Sequence, residues 1–288
     1  MQAEMGAARA AASGAGDIAS DFSEQPVPPS VTQPAPSARA SARGKLRLFI
    51  DSASEADWRQ LLPSGAFCGV TTNPTILERA GRQCTVSACV ELARDALRSP
   101  HCEEVMLQAW GGSAREMVLT GEALANANRA RVIVKVPATL AGVEAAAALV
   151  DLGIRVCLTA VYRPAQMLAA MSVGAEYAAP YVGRMCDAGR DGEASTGAMR
   201  AAQLAANSST RVLVASVRSV EVLERLAAEH GCDTFTLAPA VCAEMLQDEL
   251  SVAAAAEFEA AAERRGGAPD LRTLARLDDD TDFELPPM

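Results

Sequence analysis

Histidine and aromatic residues are scarce in this sequence. Only His101 and His230 occur, and aromatics make up 4% of 288 residues. Two imidazoles cannot build a multi-histidine zinc site and give a histidine-based triad little to draw on. Both read as surface residues, and no metal site is expected. Cys-x-x-Cys pairs are absent. The eight cysteines, at 68, 84, 89, 102, 157, 186, 232 and 242, are scattered and several lie in apolar runs. They read as buried thiols of a reducing compartment rather than as a disulfide framework. No apolar run reaches the length of a membrane span, so no membrane partner is expected. Positive charge is in deficit as well. Lys and Arg number 26 against 36 Asp and Glu, a net charge of −10. That argues against nucleic acid as a partner but leaves room for a local basic pocket.

What is present is apolar and rich in alanine. Half of the residues are hydrophobic, enough for a sizeable core of helices packed closely on a sheet. The two ends differ from the middle. Residues 1–44 are rich in Ala, Ser, Pro and Gly and lack apolar periodicity, which predicts disorder. Arg39 and Arg43 among Ala and Ser suggest an organelle or plastid transit segment, whereas Glu4, Asp17, Asp21 and Glu24 speak against one. Localisation is therefore read as cytoplasmic, or organellar if that segment is a transit peptide. Residues 266–288, with Asp278-Asp279-Asp280 and Pro286-Pro287, read as a flexible acidic tail.

Between these ends, over residues 45–265, short β-rich runs alternate with alanine-rich helical patterns. Strands are predicted at Leu46–Asp51, Phe67–Thr71, Glu104–Ala109, Arg131–Val136, Arg155–Thr159, Ala175–Ala179, Arg211–Ser216 and Thr234–Leu237. Leu140 to Leu152 exemplifies the helices, with Ala145, Leu149 and Leu152 on one face. Eight strand–helix units in this length predict a single-domain α/β fold, a closed (β/α)8 TIM barrel. An open doubly wound sheet is the alternative, and it lacks a Gly-x-Gly-x-x-Gly after the first strand. A barrel places its functional groups at the C-terminal ends of the strands. Polar residues do stand where the runs stop: Asp51, Thr71 and Asn73, Gln108, Lys135, Thr159, Tyr181 and Ser216.

Lys135 is the most telling of them. Its run, Arg131 to Thr139, is β-branched and apolar and reads as a strand buried on both faces. Burial disfavours the ammonium and lowers its pKa, giving a nucleophilic amine able to form Schiff bases with carbonyl compounds. The competing reading is a strand-end lysine that snorkels to solvent.

These residues and their neighbours also carry a family resemblance. They include Phe49-Ile50-Asp51-Ser52, Gly69 to Thr75 with its Thr-Thr-Asn-Pro, and Val134-Lys135-Val136-Pro137. Thr159-Ala160-Val161-Tyr162, Gly174 to Arg184 and Val214 to Arg218 complete the set. Over residues 46–262 they resemble the transaldolase family, in particular its small-subunit branch, the fructose-6-phosphate aldolases. The resemblance implies Lys135 as the Schiff-base former. It implies that Asp51 and Asn73, with Thr71 beside them, hold substrate hydroxyls. Gln108 and Thr159 would position the catalytic water, and Arg184, Ser216 and Arg218 would bind phosphate. The last role fits the fork geometry of guanidinium groups.

Four positions separate the branches. Classical transaldolases carry glutamate, asparagine, serine and phenylalanine where this sequence has Gln108, Cys157, Ala179 and Tyr181. All four departures point toward the aldolase-like branch, with Ala179 lining the substrate and Tyr181 moving protons. Gly183, where that branch has asparagine, and Trp110-Gly111-Gly112 depart from the aldolases and leave the sugar open. The implied activity is metal- and cofactor-free cleavage or transfer of a three-carbon dihydroxyacetone unit from a ketose phosphate such as fructose 6-phosphate. The alternatives are a true transaldolase of the pentose phosphate pathway, using sedoheptulose 7-phosphate and glyceraldehyde 3-phosphate, and a non-catalytic sugar-phosphate-binding relative. The expected partners are a small sugar phosphate and further copies of the chain. The stretch Leu250–Ala262 would either assemble a homo-oligomer or cap the barrel.

Overall fold

Parallel strands and helices alternate through residues 44–267, the part of the chain that the computed structural model describes. The readings made for residues 1–43 and 268–288 lie outside the described residues. Strand β1 (Arg47–Asp51) leads to α1 (Glu55–Leu61) and a 3-10 turn at Leu62–Ser64. Next come β2 (Gly69–Thr71), α2 (Pro74–Arg79), α3 (Val86–Leu97), β3 (Glu104–Gln108) and α4 (Ala114–Ala125). The middle of the chain forms β4 (Val132–Pro137), α5 (Leu140–Asp151), β5 (Val156–Val161), α6 (Pro164–Ser172) and β6 (Tyr177–Pro180). Helices α7 (Val182–Asp187) and α8 (Gly192–Ala205) precede β7 (Arg211–Val212) and β8 (Val214–Val217). Helix α9 (Val220–Ala228), β9 (Thr234–Leu237), α10 (Pro239–Met245) and α11 (Glu249–Arg264) complete the order.

Neighbouring strands run parallel in the order β7-β6-β5-β4-β3-β2-β1-β9-β8. The first and last members of that series are two halves of one strand, separated only by Leu213. The Leu213 amide donates to the Ala178 carbonyl at 2.8 Å, and Tyr181 bridges in parallel to Ala215. The sheet is therefore a closed barrel of eight strand positions, the predicted fold. The predicted seventh strand is one run, whereas the structure breaks it. A register shift lies between Val214 and Val217, and Ser216 takes a left-handed φ of 58°. A bulge of this kind bends the strand and re-aims a side chain.

Period-two alternation sorts the side chains into two nested cores. Phe49, Cys68, Met106, Ile133, Cys157 and Tyr177 fill the barrel interior. Ile50, Val70, Leu107, Val134, Val136 and Leu158 face outward under the helices. Helix α5 shows how its residues set its limits. Thr139 caps its N-terminus by accepting from the Gly142 amide. A Cβ at Gly142 would lie 1.8 Å from the Pro137 carbonyl oxygen, so only glycine permits this close return of the helix onto β4. Ala145 and Leu149 are buried as predicted, but Leu152 is 47% exposed. It is the C-cap, past the last helical turn, so the helical period no longer governs its direction. No disulfide joins the eight cysteines; Cys84 and Cys186 are exposed and the other six buried. Both histidines are half-buried rather than surface residues. Helix α11 buries none of its residues.

The N-terminal end of the barrel is closed by charge. Glu104, 6% exposed, accepts from Arg155 at 2.5 Å and from the Tyr177 hydroxyl at 2.9 Å. Arg47 approaches the same carboxylate at 3.3 Å, and Arg155 also pairs with Glu176. Burial, reinforced by Glu104, pushes the Tyr177 phenol upward, so it stays a donor. Removing one partner of a buried pair strands the other. Glu104→Ala should therefore cost about 3 kcal/mol or more of unfolding free energy. Urea unfolding checks this, and a loss within the ordinary range of surface substitutions would refute it.

Candidate active site

Lys135 sits on the inward face of β4 at 2% exposure, which rules out the snorkelling reading. Gln108 of β3 and Cys157 of β5 are its register partners. Its Nζ donates to the Thr72 carbonyl at 3.1 Å. Burial is the largest influence on this ammonium and acts to lower its pKa. Tyr181, Asp51 and Cys157 act the other way and hold it above the ordinary lysine value. The expectation that burial alone yields a neutral amine is thereby corrected. Phenols and thiols exert this pull only when ionised, whereas a carboxylate does so across the neutral range. The Cys157 thiol is itself pushed up to about 12 by burial. Tyr181 is the largest of these opposing influences and Asp51 the next.

The other side chains are held in place by two pairs. Thr71 Oγ1 donates to Asp51 Oδ1 at 2.6 Å and meets Thr236 across β1. Thr159 Oγ1 and the Tyr181 hydroxyl lie 2.8 Å apart. Tyr181 is further fixed by an edge contact with Tyr162 at 5.9 Å between ring centres. The Arg184 guanidinium covers the Tyr181 ring at 5.0 Å, within cation–π range. Thr159 precedes Ala160, whose φ is 56°, at a register shift between Leu158 and Val161. Left-handed backbone at Ala160 and Ser216 costs about 1–3 kcal/mol each. Both fall beside the cavity, where strand ends are re-aimed.

A cavity of about 340 Å³ opens at this end of the barrel. Seven of the predicted site residues line it: Asp51, Asn73, Lys135, Tyr181, Arg184, Ser216 and Arg218. Thr71 and Thr159 stand behind Asp51 and Tyr181 through the bonds above. Gln108 shares the inward face with Lys135. Ala179 is not among the lining residues; at 1% exposure it packs in the interior core. Asn73 does double duty. Its Oδ1 caps α2 by accepting from the Ile76 amide at 3.1 Å, which leaves the carboxamide nitrogen to face a ligand.

Arg218 forms an ion pair with Asp187, and both are more than half exposed. Such a pair is worth little and exchanges readily for a ligand anion. Gly183 allows this placement. A Cβ there would lie 2.5 Å from the Ser216 carbonyl oxygen and 2.6 Å from Arg218 Nε, so asparagine does not fit as the chain stands. Arg79 and Thr236 also line the cavity and were not anticipated. The alternation Thr234-Phe235-Thr236-Leu237 places both threonines on one face and could have revealed Thr236. Among the described residues no cluster of His, Cys, Asp or Glu is arranged to hold a metal, and no helix is long and apolar enough to cross a membrane.

The Transaldolase/Fructose-6-phosphate aldolase family is matched across residues 48–280. The chain belongs to this family. Among curated relatives of the family, it is 34% identical over 227 residues to a "Probable transaldolase" of Anaeromyxobacter sp. (strain K), covering 78% of this chain and all of the relative. It is 32% identical over 206 residues to a "Probable transaldolase" of Caulobacter vibrioides, covering 72% and 91%.

The proton on Lys135 gives the site a measurable property. Reductive methylation of Lys135, read by peptide mass, should rise only at a pH above the ordinary lysine range. Removing the Asp51 charge lowers the lysine pKa, so Asp51→Asn should move that rise to lower pH. An unchanged profile would show that Asp51 does not govern the amine.

Proposed function

We propose that this chain is a Schiff-base aldolase of the fructose-6-phosphate aldolase type, releasing a three-carbon dihydroxyacetone unit from a ketose phosphate. The observation that carries the reading is the buried Lys135, which lines one cavity together with Asp51, Tyr181 and three exposed arginines. Ligand binding first removes the Lys135 proton, with Asp51 as acceptor. The free amine attacks the ketose carbonyl, and water leaves to give an iminium. That cation accepts the electron pair of the C3–C4 bond as it breaks. The C4 hydroxyl proton passes to a water or to the Tyr181–Thr159 pair, an aldehyde departs, and an enamine stays on Lys135. Protonation of the enamine and hydrolysis release dihydroxyacetone and restore the lysine.

Gln108 cannot exchange protons, because a carboxamide has no titrating group near neutral pH. It can only orient a water, which leaves the phenol of Tyr181 as the proton carrier. This combination favours the aldolase reading over a transaldolase, in which the enamine attacks a second aldose phosphate. Arg184, Ser216 and Arg218 are assigned to the distal phosphate. Arg218 leaves Asp187 for it, a charge-assisted exchange that costs little at an exposed pair.

Two measurements test the reading. Borohydride reduction in the presence of a ketose phosphate should add the mass of the reduced adduct, and Lys135→Met should abolish the gain. A gain that survives in Lys135→Met would sink the Schiff-base assignment. In assays with and without an acceptor sugar phosphate, cleavage should proceed without acceptor, and Tyr181→Phe should slow it about 100-fold or more. Turnover only with acceptor would identify a transaldolase.

A further inference from the structure

Thr236 has no role in the scheme above, yet its hydrogen bond has a direction that can be worked out. Thr236 of β9 stands in register with Phe49 of β1, and Asp51 of β1 with Thr71 of β2. Thr71 Oγ1 lies 2.6 Å from Asp51 Oδ1, and Thr236 Oγ1 lies 2.5 Å from Thr71 Oγ1. A carboxylate only accepts, so the Thr71 proton goes to Asp51. A hydroxyl carries a single proton. Thr71 therefore has none left for Thr236, and Thr236 must donate to Thr71. The chain runs one way, from Thr236 to Thr71 to Asp51. The Thr159–Tyr181 pair has no such anchor, since either hydroxyl there can be the donor.

This direction decides what the wall offers a ligand. Thr71 is fully buried and does not line the cavity, whereas Asp51 and Thr236, the latter 2% exposed, do line it. With its proton committed, Thr236 Oγ1 has only lone pairs to present. Asp51 keeps a second oxygen, which also only accepts. Asn73 at the end of β2 is the reverse. Its Oδ1 is taken by the Ile76 amide, and its nitrogen only donates. A sugar hydroxyl satisfies both kinds of neighbour, because it donates and accepts at once. A ketone, an ether or a phosphate dianion only accepts, and it meets lone pairs at Thr236 and Asp51.

We infer that Thr236 is a specificity-determining residue, whose oxygen accepts the proton of one sugar hydroxyl and turns away groups that only accept. The inference deepens the proposed aldolase reading and takes from it the class of ligand, a polyhydroxy phosphate. A site built to hydrogen-bond a hydroxyl discriminates strongly against the analogue that lacks it, because the buried polar groups of the site are then left unpaired.

The test uses a hexitol 6-phosphate, the open-chain sugar phosphate with its carbonyl reduced to an alcohol. It cannot form an iminium, so its binding reports contacts without chemistry. Calorimetry on the full chain compares it with analogues in which one hydroxyl at a time is replaced by hydrogen or by fluorine, which cannot donate. At one position both replacements should weaken binding about fivefold or more, the effect of one hydrogen bond. Thr236→Val, nearly the same in shape, should weaken the parent hexitol by a similar factor. It should leave those two analogues within about twofold of their affinity for the unaltered chain. Thr236→Ser keeps the hydroxyl and should bind the whole series as the unaltered chain does. Equal weakening of the parent and of every analogue by Thr236→Val would reduce Thr236 to a structural support and overturn the inference. So would an unchanged parent affinity, fluorinated analogues that all bind as tightly as the parent, or no binding of the hexitol phosphate. Borohydride trapping with a ketose phosphate decides the Schiff base separately. Absence of the Lys135 adduct speaks against the aldolase reading, while the hexitol series alone decides the role of Thr236.

Discussion

A positive charge that water barely reaches must be solvated by protein. Lys135 imposes that demand on the interior of the barrel, and the neighbouring strand ends answer it. The Thr72 carbonyl takes one hydrogen, and Asp51 supplies countercharge. Thr71 then holds Asp51 while itself meeting Thr236. One buried amine therefore ties the ends of the first, second, fourth and eighth strand positions into a single polar layer. The same barrel interior holds the apolar side chains of Phe49, Met106, Ile133 and Cys157. An unpaired charge at this depth would cost several kcal/mol, so the polar layer is needed for folding as much as for chemistry.

The layer is completed by backbone that regular strands do not provide. Ala160 and Ser216 are the two strand residues with left-handed φ, and each sits at a register shift. Glycine would relieve the cost at both positions, yet the chain has side chains there. At 216 the side chain faces the cavity, so the strained backbone serves to present a hydroxyl. At 160 the bulge follows Thr159, whose hydroxyl must meet Tyr181 from the adjoining strand. Strain stored beside a site and sustained by the surrounding barrel is a recurrent way of fixing side-chain direction.

Much of this was legible in the sequence because it is governed by local period. The β4 run announces itself through β-branched residues, and a lysine in it is conspicuous whatever surrounds it. The ends of the strands located Asp51, Thr71, Lys135 and Thr159 by the same logic. The break at Leu213 was not legible. It arises from closing a ring between residues far apart in the chain, and no local pattern encodes closure. The proton on Lys135 escaped for a related reason: the lysine strand shows burial, but the opposing carboxylate lies 84 positions earlier. Arg79 was hidden on a helix too short to show a period. Ala179 was assigned to the substrate by resemblance, and the inward core claimed it instead.

The charged floor has a consequence of its own. Glu104, Arg155, Arg47 and Tyr177 seal the base of the barrel, while the mouth stays open above Lys135. Among the described residues, the cavity beside Lys135 opens at the C-terminal ends of the strands. Whatever sits deepest must wait for what lies above it to depart. For the proposed reaction, the fragment anchored to the lysine is the last to leave, and the aldehyde vacates the passage before a fresh molecule can descend. Order of traffic thus follows from architecture, with no moving part required.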